Sequence, residues 1–330
     1  MRNTALNLDT NLARKTKMPG IEAVGLSKSF GALTAINRLS FEVDSGEIFG
    51  LLGPNGSGKT TTVRLLSCLI APSEGTARVA GFDIKEEPIK VRETVGVLTE
   101  NPGIYDRLTV VENMEFFAEA YGLRDRAERD SRIKELLEFF DLWDRRGDKV
   151  GTFSKGMRQK LAIAKAIVHR PEVLFLDEPS SGLDPKAAKD IRDLMEEMSR
   201  QEKHTIVLCT HNLEEAERLC SRVMIIRKGS ALATGSIEDL RKKLHGALEL
   251  EIGLEEVNDR LLRTTTKLEG VKTVKTTIKG TLIYDLDDPE AQTPDVVKSL
   301  VQAGGRVTSV NILRPSLEDA YLELTKEESA

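Results

Sequence analysis

Residues 53–60 read GPNGSGKT, between an apolar run, EIFGLL, and a helix-like run, TTVRLLSCL. Three glycines in eight positions leave the backbone bare beside a single lysine. Several N–H groups can converge on an anion only where side chains stay clear, and parts of such a loop need positive φ, which suits glycine. A helix starting near Lys59 aims the positive end of its dipole at the same point. The spacing is G-x-x-x-x-G-K-[ST], the P-loop pattern, with Gly53, Gly58, Lys59 and Thr60 in place. The expected phosphate contacts are Gly53, Pro54, Asn55, Gly56, Ser57, Gly58, Lys59, Thr60 and Thr61. Lys59 reaches the β- and γ-phosphates, and the Thr60 hydroxyl ligates Mg²⁺. A plain glycine-rich turn is the bland alternative, and the flanking strand and helix argue against it.

Phosphoryl transfer on such a loop needs an acidic residue at the end of a neighbouring strand to hold the magnesium. The run VLFLDEP supplies Asp177 for the metal and Glu178 to orient or deprotonate the attacking water. An acidic pair after a strand also suits helix capping. His211 follows the strand TIVLCT directly, at the carboxyl end where α/β sites form. It is expected to contact the γ-phosphate, against a structural role. Asn212 reads as the cap of the next helix, with Glu215 completing the box.

Apolar strands alternate with helices in this region: EVLFLDE (172–178), TIVLCTH (205–211) and RVMIIRKG (222–229), with helices at 185–201 and 212–220. This predicts a mostly parallel sheet buried on both faces, in an α/β fold. Before it, residues 21–84 read as strands separated by turns at Gly31, Gly46 and Gly75, interrupted by a helix over 59–69. VGVLTE (95–100) is a further short strand. Residues from about 101 to 170 change character. TVVENMEFFAEAYG opens on a capping box, Thr109 with Glu112, and a helical insert is expected. From 237 onward the order is β-α-β-β-α-β plus a helix, which is ferredoxin-like. The expected division is a disordered tail over 1–20, a nucleotide-binding domain over 21–236 and an accessory α+β domain over 237–330.

Composition limits the function classes. The 330 residues carry a net charge of −5, which does not favour nucleic acid as a partner. Cys68, Cys209 and Cys220 lack metal-ligand spacing and read as reduced core residues. No apolar run approaches the ~18 residues of a membrane span, and the first 20 residues hold no signal-peptide core.

Taken together, these motifs resemble the nucleotide-binding subunit of ATP-binding cassette (ABC) transporters over about 21–236. GPNGSGKTTT is similar to the family's Walker A, VLFLDEP to its Walker B, SGLD (181–184, with Asp184) to its D-loop, and THNLEEAE to its switch-histidine segment. FSKGMRQKLAIAKAI resembles the LSGGQ signature and the helix after it. The resemblance implies two copies packed head to tail around two ATP molecules, as a homodimer or with another cassette. Ser154, Lys155 and Gly156 would face the partner's ATP, and Phe30 would stack on adenine. It also implies a separate transmembrane permease docking near 101–120, and so a peripheral position on the cytoplasmic membrane face. Two positions depart from the family: Met157 replaces the signature glutamine, and Glu100 stands where a magnesium-contacting glutamine is usual. A carboxylate there can still ligate Mg²⁺ or its water. Both departures, with PSLEDAYLELT near the end, are similar to the ATPases of ABC-2-type drug and antibiotic exporters. The alternatives are a non-transport ABC ATPase of the translation or repair type, and a P-loop GTPase or kinase. One cassette, no long coiled coil between the motifs and no NKxD segment speak against them.

Overall fold

The chain of this computed structural model opens with a hairpin, β1 (Ile21–Phe30) and β2 (Leu33–Val43), turned at Gly31. The structure describes residues 19–99, 103–202, 204–244, 249–266, 268–277, 280–313 and 316–326. The expected tail lies outside these residues except for Pro19 and Gly20, and so does Glu100.

Next come β3 (Ile48–Leu52), α1 (Lys59–Leu66), β4 (Glu74–Val79), β5 (Phe82–Asp83), α2 (Pro88–Thr94) and β6 (Val95–Leu98). β1, β2, β4 and β5 form an antiparallel sheet in the order β2-β1-β4-β5. Gly75 is not a turn but lies inside β4. A Cβ there would stand 2.1 Å from the Gly25 carbonyl oxygen, beside the register shift where β1 crosses. Close backbone approach, rather than chain reversal, demands this glycine.

The helical insert holds α3 (Val110–Ala120), α4 (Arg126–Phe139) and α5 (Lys155–Ala166). Thr109 and Glu112 form both halves of the expected capping box on α3. Then follow β7 (Val173–Asp177), α6 (Pro185–Glu202), β8 (Thr205–Thr210), α7 (Leu213–Leu219), β9 (Arg222–Arg227) and β10 (Ser230–Ser236). Every residue of β3, β7 and β8 is buried, as continuous apolar runs require in a sheet covered on both faces.

These strands set the geometry of the site. The six-stranded sheet runs β10-β9-β3-β8-β7-β6, and β6, β7, β8, β3 and β9 are parallel. Leu52 pairs with Thr210 and Asp177 with Cys209. Three adjacent strands therefore end level, and the chain leaves them at Gly53, Glu178 and His211.

The second compact unit begins at Ser236. It contains α8 (Ile237–Leu244), β11 (Glu249–Leu254), α9 (Asp259–Thr265), β12 (Val271–Thr276), β13 (Thr281–Leu286), α10 (Pro289–Gln302), β14 (Val307–Leu313) and α11 (Leu317–Lys326). Its sheet is antiparallel throughout, in the order β12-β13-β11-β14. That is the ferredoxin-like arrangement. Leu250, Ile252, Leu282, Tyr284 and Leu300 are fully buried in a core of its own.

Candidate nucleotide-binding site

The loop after β3 is shaped by its glycines. At Gly53 a Cβ would stand 2.2 Å from the Ile226 carbonyl oxygen. At Gly58, where φ is +116°, it would stand 2.6 Å from Ile36 Cδ1. Gly58 is also the N-cap of α1 and offers no side chain to close the helix end. The first N–H groups of α1 therefore remain open to an anion. From behind, the Gly229 N–H donates to the Ser57 carbonyl oxygen at 2.8 Å and fixes the loop against the turn after β9.

Lys59 is buried, and its ammonium donates to the carbonyl oxygens of Gly53 at 2.7 Å and Pro54 at 3.3 Å. Glu178 Oε1 lies 3.8 Å from the same ammonium. The Thr60 hydroxyl donates to Asp177 Oδ2 at 2.7 Å, and Asp177 is buried. His211 meets Glu178 twice: its backbone N–H donates to Oε1 at 3.1 Å, and its ring Nδ1 lies 2.8 Å from the same oxygen. Glu178 itself has φ +53° and donates its N–H to the Cys209 carbonyl oxygen on the neighbouring strand. A non-glycine residue in the left-handed region is costly and often marks a functional turn.

These groups line one cleft of about 590 Å³, together with Phe30, Leu33, Thr34, Asn55, Thr61, Ser181 and Lys228. The cleft fits a phosphate chain. Gly56 and Gly58 leave its wall free of side chains, and the α1 N–H groups face an uncapped end. Thr60 and Asp177 supply the hard oxygen donors that Mg²⁺ prefers. Among the described residues there is no cluster of three or more carboxylate, histidine or cysteine ligands. Phosphate oxygens and water would supply the metal's remaining ligands.

The structure brings Phe30 to the rim of this cleft, half exposed at the end of β1, with the Lys28 ammonium 5.1 Å from its ring centre. It does not bring the signature residues there. Ser154 caps α5, accepting from the Met157 N–H at 3.3 Å, and is exposed. Gly156 lies against Ala187, and the Lys155 ammonium sits over Gly182. Asp184 accepts from the N–H groups of Lys186 and Ala187 and caps α6.

Sequence reasoning missed Lys228, which lines the cleft through long-range folding that no local pattern signals, and it read Ser181 only as part of the D-loop-like segment, whereas Ser181 also lines the cleft. Glu215 departs from the expected reciprocal box. Asn212 does accept from the Glu215 N–H, but the Glu215 carboxylate turns inward and accepts from the Ser180 hydroxyl at 2.5 Å. Burial holds the Glu215 carboxyl above its ordinary range, and this buried bond links the loop after Glu178 to α7.

The family described as ABC transporter matches residues 36–181, and the C-terminal domain of DrrA1-3-like ATP-binding proteins matches residues 235–325. The uncharacterized ABC transporter ATP-binding protein YdbJ of Bacillus subtilis is 36% identical over 307 residues, covering 93% of this chain and 96% of YdbJ. The chain belongs to the ABC transporter ATP-binding proteins. Within this family it is also similar to the linearmycin resistance ATP-binding protein LnrL of Bacillus subtilis, at 33% identity over 92% of this chain and 98% of LnrL. A solved dimeric structure of MJ0796, a bacterial ABC transporter cassette, superposes with a TM-score of 0.60 at 25% identity. It covers 66% of this chain and 98% of that one. The chain is thus an ATP-binding, ABC-type transport ATPase. Among its described residues no helix is long and apolar enough to cross a membrane.

Proposed function

We propose that this protein powers export through a separate transmembrane permease, as two copies that close head to tail on ATP. The observation that carries this reading is the split of the motifs. The phosphate loop, Asp177, Glu178 and His211 share one cleft, while Ser154 and Gly156 lie on α5 away from it. A second copy would bring its α5 N-terminus, with the positive dipole end and the capping Ser154, to the γ-phosphate.

The residue roles are those the motifs imply, and for the described residues the geometry of the cleft supports them. Lys59 leaves the Gly53 and Pro54 carbonyl oxygens for the β- and γ-phosphates. The α1 N–H groups and Ser57 hold the phosphate chain, and Phe30 stacks on adenine. Thr60 and Asp177 would hold Mg²⁺, with Glu100 as a further candidate. Bound there, the metal would supply positive charge to the phosphoryl oxygens. Glu178 takes a proton from the attacking water as it adds to the γ-phosphorus and ADP leaves. His211 keeps the carboxylate oriented and contacts the γ-phosphate. Release of phosphate removes the bridge between copies. The drug-resistance relative and the matched C-terminal domain favour export, and a permease places the subunit on the cytoplasmic membrane face.

Two experiments test this. Ser154→Arg subunits mixed with wild type should impair the wild-type copy's hydrolysis; independent sites would refute the shared interface. Co-expression with a six-helix permease should give ATP-dependent drug efflux that is lost in Lys59→Ala, and efflux unaffected by that change would refute coupling.

A further inference from the structure

Lys228 stands in the nucleotide cleft but outside the phosphate loop. β9 ends at Arg227 and β10 starts at Ser230, so Lys228 and Gly229 alone join two neighbouring strands. Their φ values are +48° and +78°, both left-handed, as in a type I′ hairpin turn. The first position of such a turn favours asparagine, aspartate or glycine, and a lysine there is strained. The turn is also clamped from two sides. The Gly229 N–H donates to the Ser57 carbonyl oxygen at 2.8 Å, and the Gly229 carbonyl oxygen accepts from the Asn37 N–H on β2 at 2.8 Å. It has little room to shift, since a Cβ at Gly229 would stand 2.5 Å from the Ala35 carbonyl oxygen. Lys228 is therefore held at the seam between the phosphate loop and the start of β2. There it lines the cleft with Leu33, Thr34, Ala35 and Gly58. Its side chain is exposed and, among the described residues, has no hydrogen bond or ion pair. The cleft's other ammonium, Lys59, is already engaged by Glu178 and two carbonyl oxygens.

We propose that Lys228 binds the α-phosphate of the nucleotide. This rests on the reading above, with the base on Phe30 and the β- and γ-phosphates on the loop. The α-phosphate lies between those two ends, and the seam that Lys228 occupies joins the same two walls. β2 runs from Leu33, at the base end, to Asn37 at the turn, while Ser57 and Gly58 belong to the phosphate end. The flexible four-carbon stem lets the ammonium follow the anion, and Mg–ATP remains an anion even opposite Lys59. The backbone gives no account of a lysine in this turn, whereas an anion in the cleft does. An α-phosphate contact is common to ATP and ADP, so Lys228 would retain ADP after the γ-phosphate has left.

Lys228→Asn tests this without threatening the fold, because asparagine suits the turn better than lysine does. The full chain is titrated with Mg–ADP and with the non-hydrolysable imido analogue of Mg–ATP, and AMP is read by competition. Lys228→Asn should weaken all three by the same factor, about three- to tenfold, and the loss should shrink as salt rises. Lys228→Arg should stay within about twofold of wild type. Unchanged affinities in Lys228→Asn would overturn the proposal. A loss confined to the ATP analogue would place the lysine on the γ-phosphate, and one that spares only AMP would place it on the β-phosphate; either sinks the assignment. A loss that vanishes with 2′-deoxy nucleotides would place it on the ribose and sink it too. Lys59→Ala is the control on the cleft itself. Normal nucleotide binding by that variant would refute the site reading, whereas normal binding by Lys228→Asn alone would refute only this contact.

Discussion

Replacing Glu178 by Gln changes one oxygen to an amide and keeps side-chain size. The backbone stays at φ +53°, so its strain is common to both proteins. The amide oxygen can still accept from the His211 N–H, now 3.1 Å from Glu178 Oε1. The charge opposite Lys59 at 3.8 Å is lost. At an effective dielectric near 20 that attraction is about 4 kcal/mol gross, and the cost of desolvating both ions offsets most of it. A net loss of about 1 kcal/mol of stability is expected without nucleotide. With Mg–ATP bound the sign reverses, because removing a carboxylate beside the γ-phosphate relieves repulsion. Binding should therefore be as tight as in wild type or tighter. Hydrolysis should fall about 10²–10⁴-fold, the usual worth of a positioned base, equivalent to about 3–5 kcal/mol. Single-turnover phosphate release measures the rate, equilibrium dialysis the affinity, and light scattering the ATP-bound dimer. Turnover within about threefold of wild type would remove Glu178 as the base, since that is under 1 kcal/mol of transition-state stabilisation.

Lys59→Ala should lose most Mg–ATP affinity, read by nucleotide fluorescence, because it removes the only lysine of the phosphate loop. Thr60→Ala leaves Asp177 buried without its 2.7 Å donor and should cost about 1–3 kcal/mol of stability by denaturant titration. It should also raise the magnesium concentration needed for hydrolysis. Burial lowers the His169 imidazole from 6.5 to about 4, and its ring stacks 3.9 Å from Tyr121. The folded protein thus binds fewer protons here than the unfolded chain. The associated stability is full above pH 6.5 and is lost as pH falls towards 4, by about 3 kcal/mol in all. Denaturant midpoints of His169→Phe should be flatter across that window, and an equal slope would refute the assignment.

Most of the first unit was legible because its signals are local. A glycine-rich loop between an apolar strand and a helix leaves few folds, and continuous apolar runs at 173–177 and 205–210 predict burial on both faces. The ferredoxin-like order could be read from the alternation of elements beyond 237, and its second helix, α10, starts at Pro289. Proline at the first helical position made that boundary readable in principle. Less legible were features that depend on chain segments far apart in sequence. Gly75 resembles any turn glycine until Gly25 is seen to cross it. Glu215 fits a capping box until Ser180 offers a buried partner. Lys228 reaches the cleft because β9 lies beside β3. The signature raised a different difficulty: its residues were recognisable, but a single chain does not bring them to the phosphate loop.

The backbone of Glu178 offers a sharper test of how the site is built. A non-glycine residue at φ +53° costs about 1–2 kcal/mol, and Pro179 immediately after it prevents a regular continuation of β7. The conformation is held by the Glu178 N–H bond to Cys209 and by the Ser181 N–H bond to the Glu178 carbonyl oxygen at 3.2 Å. Neither needs the side chain. Alanine and glycine at 178 would both lose the His211 and Lys59 contacts, so those losses cancel in the comparison. What remains is backbone: glycine escapes the left-handed penalty but returns about 0.4–1 kcal/mol through its freer unfolded chain. Glu178→Gly should therefore be more stable than Glu178→Ala by up to about 1 kcal/mol, the reverse of the order in a helix or strand. Both should be inactive. If Ala proves equal or more stable in chemical denaturation, the turn is not strained. The placement of the carboxylate over Lys59 would then owe nothing to energy stored in the backbone.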